Sequence, residues 1–600
     1  MKNKISFISL LLVIFLTALS IISAQHKFHV NLNDRADDLF KVTLIPDKLG
    51  EQNKIFQFAA AAPGTYQIMD IGRYVKNFKA FDKNNLEIPV TNISQNQWEI
   101  SNPSSVGKIA YEIEETWDSK IQKDAIYPMC GTSLENDFAV INGHCVFGYF
   151  HGMQKYPIEI KLEYPNEWTA GTALVQNANG YYTAQDFDMV VDSPILLGNL
   201  TKATTTIDNT VIDVYTYSKT GLIKSENLLI GLEDILNAQS QFTQGLPVER
   251  YVFLFSFEDF SAGAWEHNYS SFYVFREDTL NEQYMSELRS TAAHEFFHVI
   301  TPLHIHSELV ANFNYEKPVM SQHLWFYEGV TEWASDILQM RDYLVSIDDF
   351  LNQLRNKLSI NDGFDQNLSL TELGVKAVEK QDQYFNIYNK GAAVATLLDI
   401  RLLELSKGKK GLRELILDLL KKYGAEKSIS EENFFNDLIA MTYPEVGDFI
   451  KNYIAGTEKL PVEDYFRKLG INYTESAGFD SSKVGIGFSI GFVDNNFVVT
   501  NVGPQNAGKI QPGDILYKFE GEEITMQNIQ QIAAKINTLK IGATINLTVK
   551  RKGEEVSTQV TMLPRAIKHV FKLIENSTPE QMFLRNAWSQ NFMNYKNEVE

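Results

Sequence analysis

Only two cysteines, Cys130 and Cys145, occur in 600 residues. So few exclude a disulfide-dense scaffold and a metal centre built on clustered thiolates. In an exported chain the two either pair as one disulfide or stay as buried free thiols. Positive charge is also short. Against 75 Asp and Glu there are 54 Lys and Arg, a formal net charge of -21. That balance argues against nucleic acid or an anionic membrane surface as partner. Beyond the first two dozen residues no apolar run is long enough to span a bilayer. Internal repeats and low-complexity tracts are missing as well.

What is present is the composition of a globular protein with substantial cores: 44% of residues are apolar and 12% aromatic. The length leaves room for several domains. At the start, Lys2 and Lys4 precede an almost wholly apolar stretch from Ile5 to Ile22, and the small residues Ser23-Ala24 stand before Gln25. Residues 1–24 read as a signal peptide removed on export to the periplasm or the outside. An uncleaved membrane anchor is the alternative, because the stretch is close to spanning length. With no cysteine near the cleavage site, lipid attachment is not indicated.

The texture then changes along the chain. Residues 25–200 are β-rich: Ile109, Tyr111 and Ile113 alternate with polar residues, as do Ile158, Ile160 and Leu162, and Pro63-Gly64 and Asn142-Gly143 mark turns. Residues 201–470 hold two apolar strand candidates, Tyr251 to Phe257 and Tyr269 to Phe275, followed by helical patterns such as Ala392 to Leu405 and Leu412 to Leu420. Residues 478–565 return to short strands around one amphipathic helix near Asn528 to Leu539, with a hairpin turn at Arg551-Lys552-Gly553-Glu554. Residues 566–600 form a tail with one helix, for which Thr578 is the N-cap and Pro579 the first helical position.

The chemistry concentrates in His294-Glu295-Phe296-Phe297-His298. Two histidines four apart lie one turn apart on the same helix face. Their imidazoles can reach one tetrahedral Zn²⁺, and Glu295 between them can serve as general base toward a zinc-activated water. The flanking residues from Thr291 to Ile300 are apolar, so two histidines and a glutamate there would be costly to bury unpaired. A catalytic zinc needs a third protein ligand and one open position. Glu328, embedded in Trp325-Phe326-Tyr327-Glu328-Gly329, is the leading candidate, because a carboxylate among aromatics needs a cationic partner. His304, His306 and His323 are the rivals. Glu332, one turn beyond Glu328, reads first as a solvated helix glutamate; orienting a ligand histidine is its alternative role.

These motifs carry a resemblance. His294-Glu295-x-x-His298 followed by Trp325-x-x-Glu328-Gly329-x-Thr331 resembles the glycyl aminopeptidase family of gluzincin metallopeptidases, relatives of thermolysin and of the aminopeptidase N family. Gly263-Ala264-Trp265-Glu266-His267 resembles that family's Gly-Gly-Leu-Glu-His segment, and Tyr388-Asn389-Lys390-Gly391 its Tyr-x-Lys-Gly. The resemblance implies that His294, His298 and Glu328 bind one Zn²⁺, that Glu295 is the base, that Tyr388 donates to the oxyanion, and that Gly263 and Glu266 belong to the substrate site, Glu266 holding the free α-amino group. It implies N-terminal glycine or alanine as preferred residue. One departure bears on that preference: the family's Trp-Asn-x-Lys-Arg segment is replaced by Val299 to His306, with no basic pair.

Further on, Val484-Gly485-Ile486-Gly487-Phe488 resembles the carboxylate-binding loop of PDZ domains, and Ala507 to Leu516 resembles their next motif. In that fold loop amides hold a peptide C-terminus while the peptide adds a strand; a purely structural module is the alternative.

The expectation is a multidomain α+β chain: a β-rich N-terminal domain, a thermolysin-like, mostly helical catalytic domain and a PDZ-like C-terminal domain. Its expected activity is that of an exported zinc aminopeptidase acting on peptides, with no nucleic-acid partner and no membrane span after signal cleavage. Two other readings stand beside it: an endopeptidase of the same fold, and a catalytically silent peptide-binding scaffold.

Overall fold

The computed structural model describes residues 25–590 apart from 122, 426, 494, 495, 526 and 527. The signal-peptide reading of residues 1–24 lies outside the described residues, as do the last ten positions.

Alternation in the first third does what period-2 patterning requires. Phe28 and Val30 on His26–Asn31, Phe40, Val42 and Leu44 on Leu39–Ile45, and Ile109, Tyr111 and Ile113 on Val106–Glu114 are all buried, while their neighbours point outward. Register places Phe28 opposite Leu44, Val42 opposite Tyr111 and Phe40 opposite Ile113, so one face of an eight-stranded sheet is continuous hydrocarbon. Two four-stranded sheets complete the domain. Asn142-Gly143, expected as a turn, instead opens a single helical turn, Gly143–Val146, in which Gly143 abuts the Val190 carbonyl too closely for a side chain. Cys130 and Cys145 are both buried free thiols.

The middle of the chain builds a five-stranded sheet, ordered Thr201–Ile207, Thr210–Ser218, Arg250–Glu258, Ser270–Arg276, Gly263–Glu266. Its three inner strands are parallel, and Gly263–Glu266 joins antiparallel at the edge. Arg250–Glu258 reads as a continuous apolar run because both faces are covered. Tyr251, Phe253 and Phe255 pack under the helices Ser225–Thr243 and Glu282–Phe297. Val252, Leu254, Phe272 and Val274 pack against Phe138, Val140 and Leu196 of the N-terminal domain. The edge strand carrying Glu266 therefore lies where the two domains meet.

Helices fill the remainder. Glu282–Phe297 is N-capped by Asn281, whose side chain accepts from the Tyr284 amide. Glu328 rides on a wide π-type turn, Trp325–Gly329, that runs into the helix Val330–Arg341. That turn crosses the helix Asn386–Leu405 at two glycines: a methyl group on Gly329 would lie 2.6 Å from the Gly391 Cα. Glycine at both positions lets the two backbones meet, which brings Tyr388 to Glu328.

The C-terminal module hangs from a long two-stranded ribbon, Ile471–Gly485 with Leu563–Leu573. Its sheet runs Phe488–Val493, Asn496–Val502, Ile515–Phe519, Thr544–Arg551, Glu554–Thr561, with one helix, Ile529–Asn537. Gly487 takes φ +72°, and a side chain there would meet Leu563 and Asn506. The segment expected as a tail is tied back over its described residues. Its first part is ribbon strand, and its helix, Pro579–Gln590, inserts Trp588 beside Phe350 and Phe466 of the catalytic core. Among the described residues no helix is long and apolar enough to cross a membrane.

Candidate metal centre and active site

The helix Glu282–Phe297 carries His294 in its last turn, and His298, its C-cap residue, follows one turn on. Their Nε2 atoms lie 3.5 Å and 3.4 Å from Glu328 Oε2. One donor atom from each of the three residues falls within 4.8 Å of the others. Tetrahedral ligands bound at zinc distances sit about 3.3–3.4 Å from one another, so the carboxylate oxygen already stands at ligand spacing from both imidazoles. His304, His306 and His323 belong to no such group among the described residues. Their rings instead meet the carbonyls of Val299, Leu303 and Glu431.

Each of these three residues is held from behind. His294 Nδ1 donates to Glu332 Oε2 at 2.8 Å, and His298 Nδ1 donates to the Thr301 carbonyl at 2.9 Å. Both bonds leave Nε2 free to face the centre. Glu332 is thus not the solvated helix glutamate that its sequence position favoured. It is bonded to His294 and to Lys357 Nζ, 2.5 Å away, which also reaches Asp336 at 3.0 Å. Tyr66, from the N-terminal domain, donates to Glu328 Oε1 at 2.8 Å.

The electrostatics call for a cation. A second group, Glu266, Glu295 and His298, meets at the same spacing, so three buried carboxylates share one small volume. Burial raises the Glu295 carboxyl above its usual range, against the pull of His294 and His298. Burial likewise pushes Glu266 up to about 8, opposed chiefly by His298. Glu328 behaves differently: burial would raise it, but His298 and His294 outweigh burial and hold it well below the usual carboxylate range. Against burial, the same carboxylates raise both histidines above the usual imidazole range, so a metal binding here would displace their Nε2 protons; two imidazoles with Nε2 turned inward and an ionised carboxylate fit Zn²⁺ in spacing and in donor type.

Of the remaining expected residues, Tyr388 reaches this site, whereas Gly263 and the loop Gly485 to Phe488 line neither the cavity beside Glu266 nor the one beside Tyr388. Tyr388, in the first turn of Asn386–Leu405, places its ring 5.7 Å from that of His294, and its hydroxyl is 2.5 Å from that of Tyr384. Gly263 adopts φ +98°, a conformation that favours glycine, and starts the strand that ends at Glu266. A cavity of about 410 Å³ is lined by Gly64, Tyr66, Trp265, Glu266 and His306; another of about 240 Å³ is lined by His294, Glu295, Glu332 and Tyr388. The loop glycines Gly485 and Gly487, with Ile486 and Phe488, lie in the C-terminal module, outside the linings of both cavities. Tyr66, Tyr384 and Lys357 are the participants that the sequence did not single out. None sits in a periodic motif, and each reaches the site from a different segment.

Comparison with known proteins follows the same three-part order. Residues 27–199 match the Peptidase M61 N-terminal domain, residues 287–394 the M61 glycyl aminopeptidase, and residues 484–562 a PDZ domain. No curated protein matches the sequence. Among solved structures, an aminopeptidase N family protein from Idiomarina loihiensis superposes with a TM-score of 0.75 at 21% identity, over 93% of this chain and 99% of that one. An M1 zinc metallopeptidase from Deinococcus radiodurans aligns with a TM-score of 0.47 at 11% identity, over 73% of this chain and 95% of that one.

Proposed function

Because this chain belongs to the M61 glycyl aminopeptidase family and is a metallopeptidase, we propose that it is an exported zinc aminopeptidase that removes small N-terminal residues, glycine or alanine, from peptides. The observation that carries the reading is the convergence, in one buried volume, of three donor atoms at zinc spacing with two further carboxylates, Glu295 and Glu266.

His294, His298 and Glu328 would hold the ion. When bound, Zn²⁺ supplies Lewis-acid polarisation of the scissile carbonyl and acidifies a water in its open position. Glu295, whose carboxyl burial raises above its usual range, takes the proton of the attacking water and delivers it to the leaving amine. Tyr388 donates a hydrogen bond from its hydroxyl to the oxyanion that develops on the carbonyl oxygen. Glu266 accepts from the substrate α-ammonium, whose positive charge returns its carboxyl to the ionised form. An amine held there fixes which peptide bond reaches Glu295, so one residue is removed at a time. The loop from Gly485 to Phe488 is suited to hold a peptide C-terminal carboxylate on its amides. Export rests on the basic and apolar character of residues 1–24.

Glu295→Gln keeps the shape of the site and removes the base. It is expected to retain one zinc per chain and lose roughly 10²–10⁴-fold in peptide hydrolysis. Near-normal turnover would eliminate the mechanism. Matched peptides with free and acetylated N-termini test the amine anchor: equal cleavage of both would favour an endopeptidase.

A further inference from the structure

Each of the three metal-facing residues has one polar atom turned away from the centre, and each of those atoms is occupied. For His294 the partner is Glu332 and for His298 it is the Thr301 carbonyl, both within the catalytic domain. For Glu328 it is Tyr66, 262 positions earlier and in another domain. Oε1 of Glu328 accepts from the Tyr66 hydroxyl while Oε2 faces both imidazoles. Without that bond a carboxylate can rotate about its last torsion and exchange its two oxygens.

The loop that presents Tyr66 is itself fixed. Gly64 takes φ +75°, and a methyl group there would lie 2.3 Å from Glu266 Oε1, so this backbone presses against the proposed amine anchor. Thr65 Oγ1 donates to the Ala62 carbonyl at 2.7 Å. Gln381 Nε2 donates to the Tyr66 carbonyl at 2.7 Å, and the Tyr66 ring packs 5.3 Å from that of Tyr384.

We propose that Tyr66 is a positioning residue of the metal centre: by holding Glu328 Oε1 it aims Oε2 at the ion, so that the N-terminal domain completes a site whose ligands all come from the catalytic domain. The inference rests on the zinc reading above. It explains why a tyrosine stands at a domain boundary with its hydroxyl on a ligand carboxylate. It also makes metal retention depend on how the two domains dock.

The test is Tyr66→Phe in the full chain, which removes one oxygen and keeps the ring against Tyr384. Zinc affinity, read by competition with a chromogenic chelator, is expected to fall roughly 10–100-fold, and the visible spectrum of the cobalt-substituted protein is expected to change as the carboxylate reorients. Gln381→Ala loosens the same loop but spares the hydroxyl, and should keep zinc affinity within about twofold. Unchanged affinity and cobalt spectrum in Tyr66→Phe would overturn the proposal, and so would an equal loss in Gln381→Ala, which would trace the effect to loop order. If the unaltered protein binds no stoichiometric zinc, the zinc reading fails and takes this inference with it.

Discussion

At the scale of single residues, Tyr388 shows how a role depends on surroundings. Burial holds its phenol well above the ordinary value, so it remains a proton donor throughout the neutral range. Its ring lies beside His294 and its hydroxyl beside Tyr384. Tyr388→Phe is expected to lower kcat about 10²–10³-fold while KM and zinc content change little, as for loss of one oxyanion donor. Steady-state kinetics with parallel metal analysis measure this, and a loss smaller than threefold would remove Tyr388 from the chemistry. His294, His298 and Glu328 were legible in the chain because helical spacing and a carboxylate among aromatics are local signals. Glu332 was not, since a position one turn on suits a solvated and an orienting glutamate equally well. What decides between them is Lys357, 25 positions away on another helix, which neutralises Glu332.

At the scale of elements, the motif glycines have a mechanical role. Gly329 and Gly391 face one another where the Glu328 turn crosses the Tyr388 helix. Gly391→Ala would place a Cβ 2.7 Å from the Gly329 Cα, so the two elements must separate. A stability loss of about 1–3 kcal/mol is expected for such overpacking, together with reduced kcat as Tyr388 moves. Thermal melting and kinetics on the same variant check both; unchanged melting would show that the crossing is loose. Local chemistry was a sound guide to the last helix. Thr578 Oγ1 accepts from the Gln581 amide while Gln581 Oε1 accepts from the Thr578 amide, a reciprocal cap written in adjacent residues. Where that helix docks was not legible, because its partners Phe350 and Phe466 lie more than a hundred positions upstream.

At the scale of the whole molecule, the chain closes on itself. Trp588 is fully buried, and Arg341 Nε donates to its carbonyl while Arg341 Nη2 bonds Asp399. Trp588→Ala is expected to cost about 3–5 kcal/mol and lower the melting temperature of the catalytic domain. A change below 1 kcal/mol would mean that the final helix is only loosely attached. Acid should act on the N-terminal domain. Burial lowers His26 to about 4 and His144 to about 3, the latter with a contribution from His267. Between pH 6.5 and those values the unfolded chain binds protons that the folded chain refuses, so stability falls as pH falls. From pH 7 to pH 5 each histidine contributes roughly 2 kcal/mol of that loss. Denaturant unfolding at both pH values should show His144→Gln with a correspondingly smaller drop; an unchanged drop would contradict a neutral buried His144.

By itself the sequence determined the order of the three domains and singled out His294, His298 and Glu328 as a candidate metal-binding set. All of these depend on residues close together in the chain, where helix and strand periodicity or a cap ties type to position. Only the tertiary structure decided what stands behind His294, His298 and Glu328, that Cys130 and Cys145 remain separate thiols, that the helix Pro579–Gln590 returns to the core, and that the Tyr66 hydroxyl crosses from one domain to bond Glu328 in the other. Those contacts join residues tens to hundreds of positions apart. No local pattern encodes them, because they arise when separately patterned elements bury their apolar faces against one another.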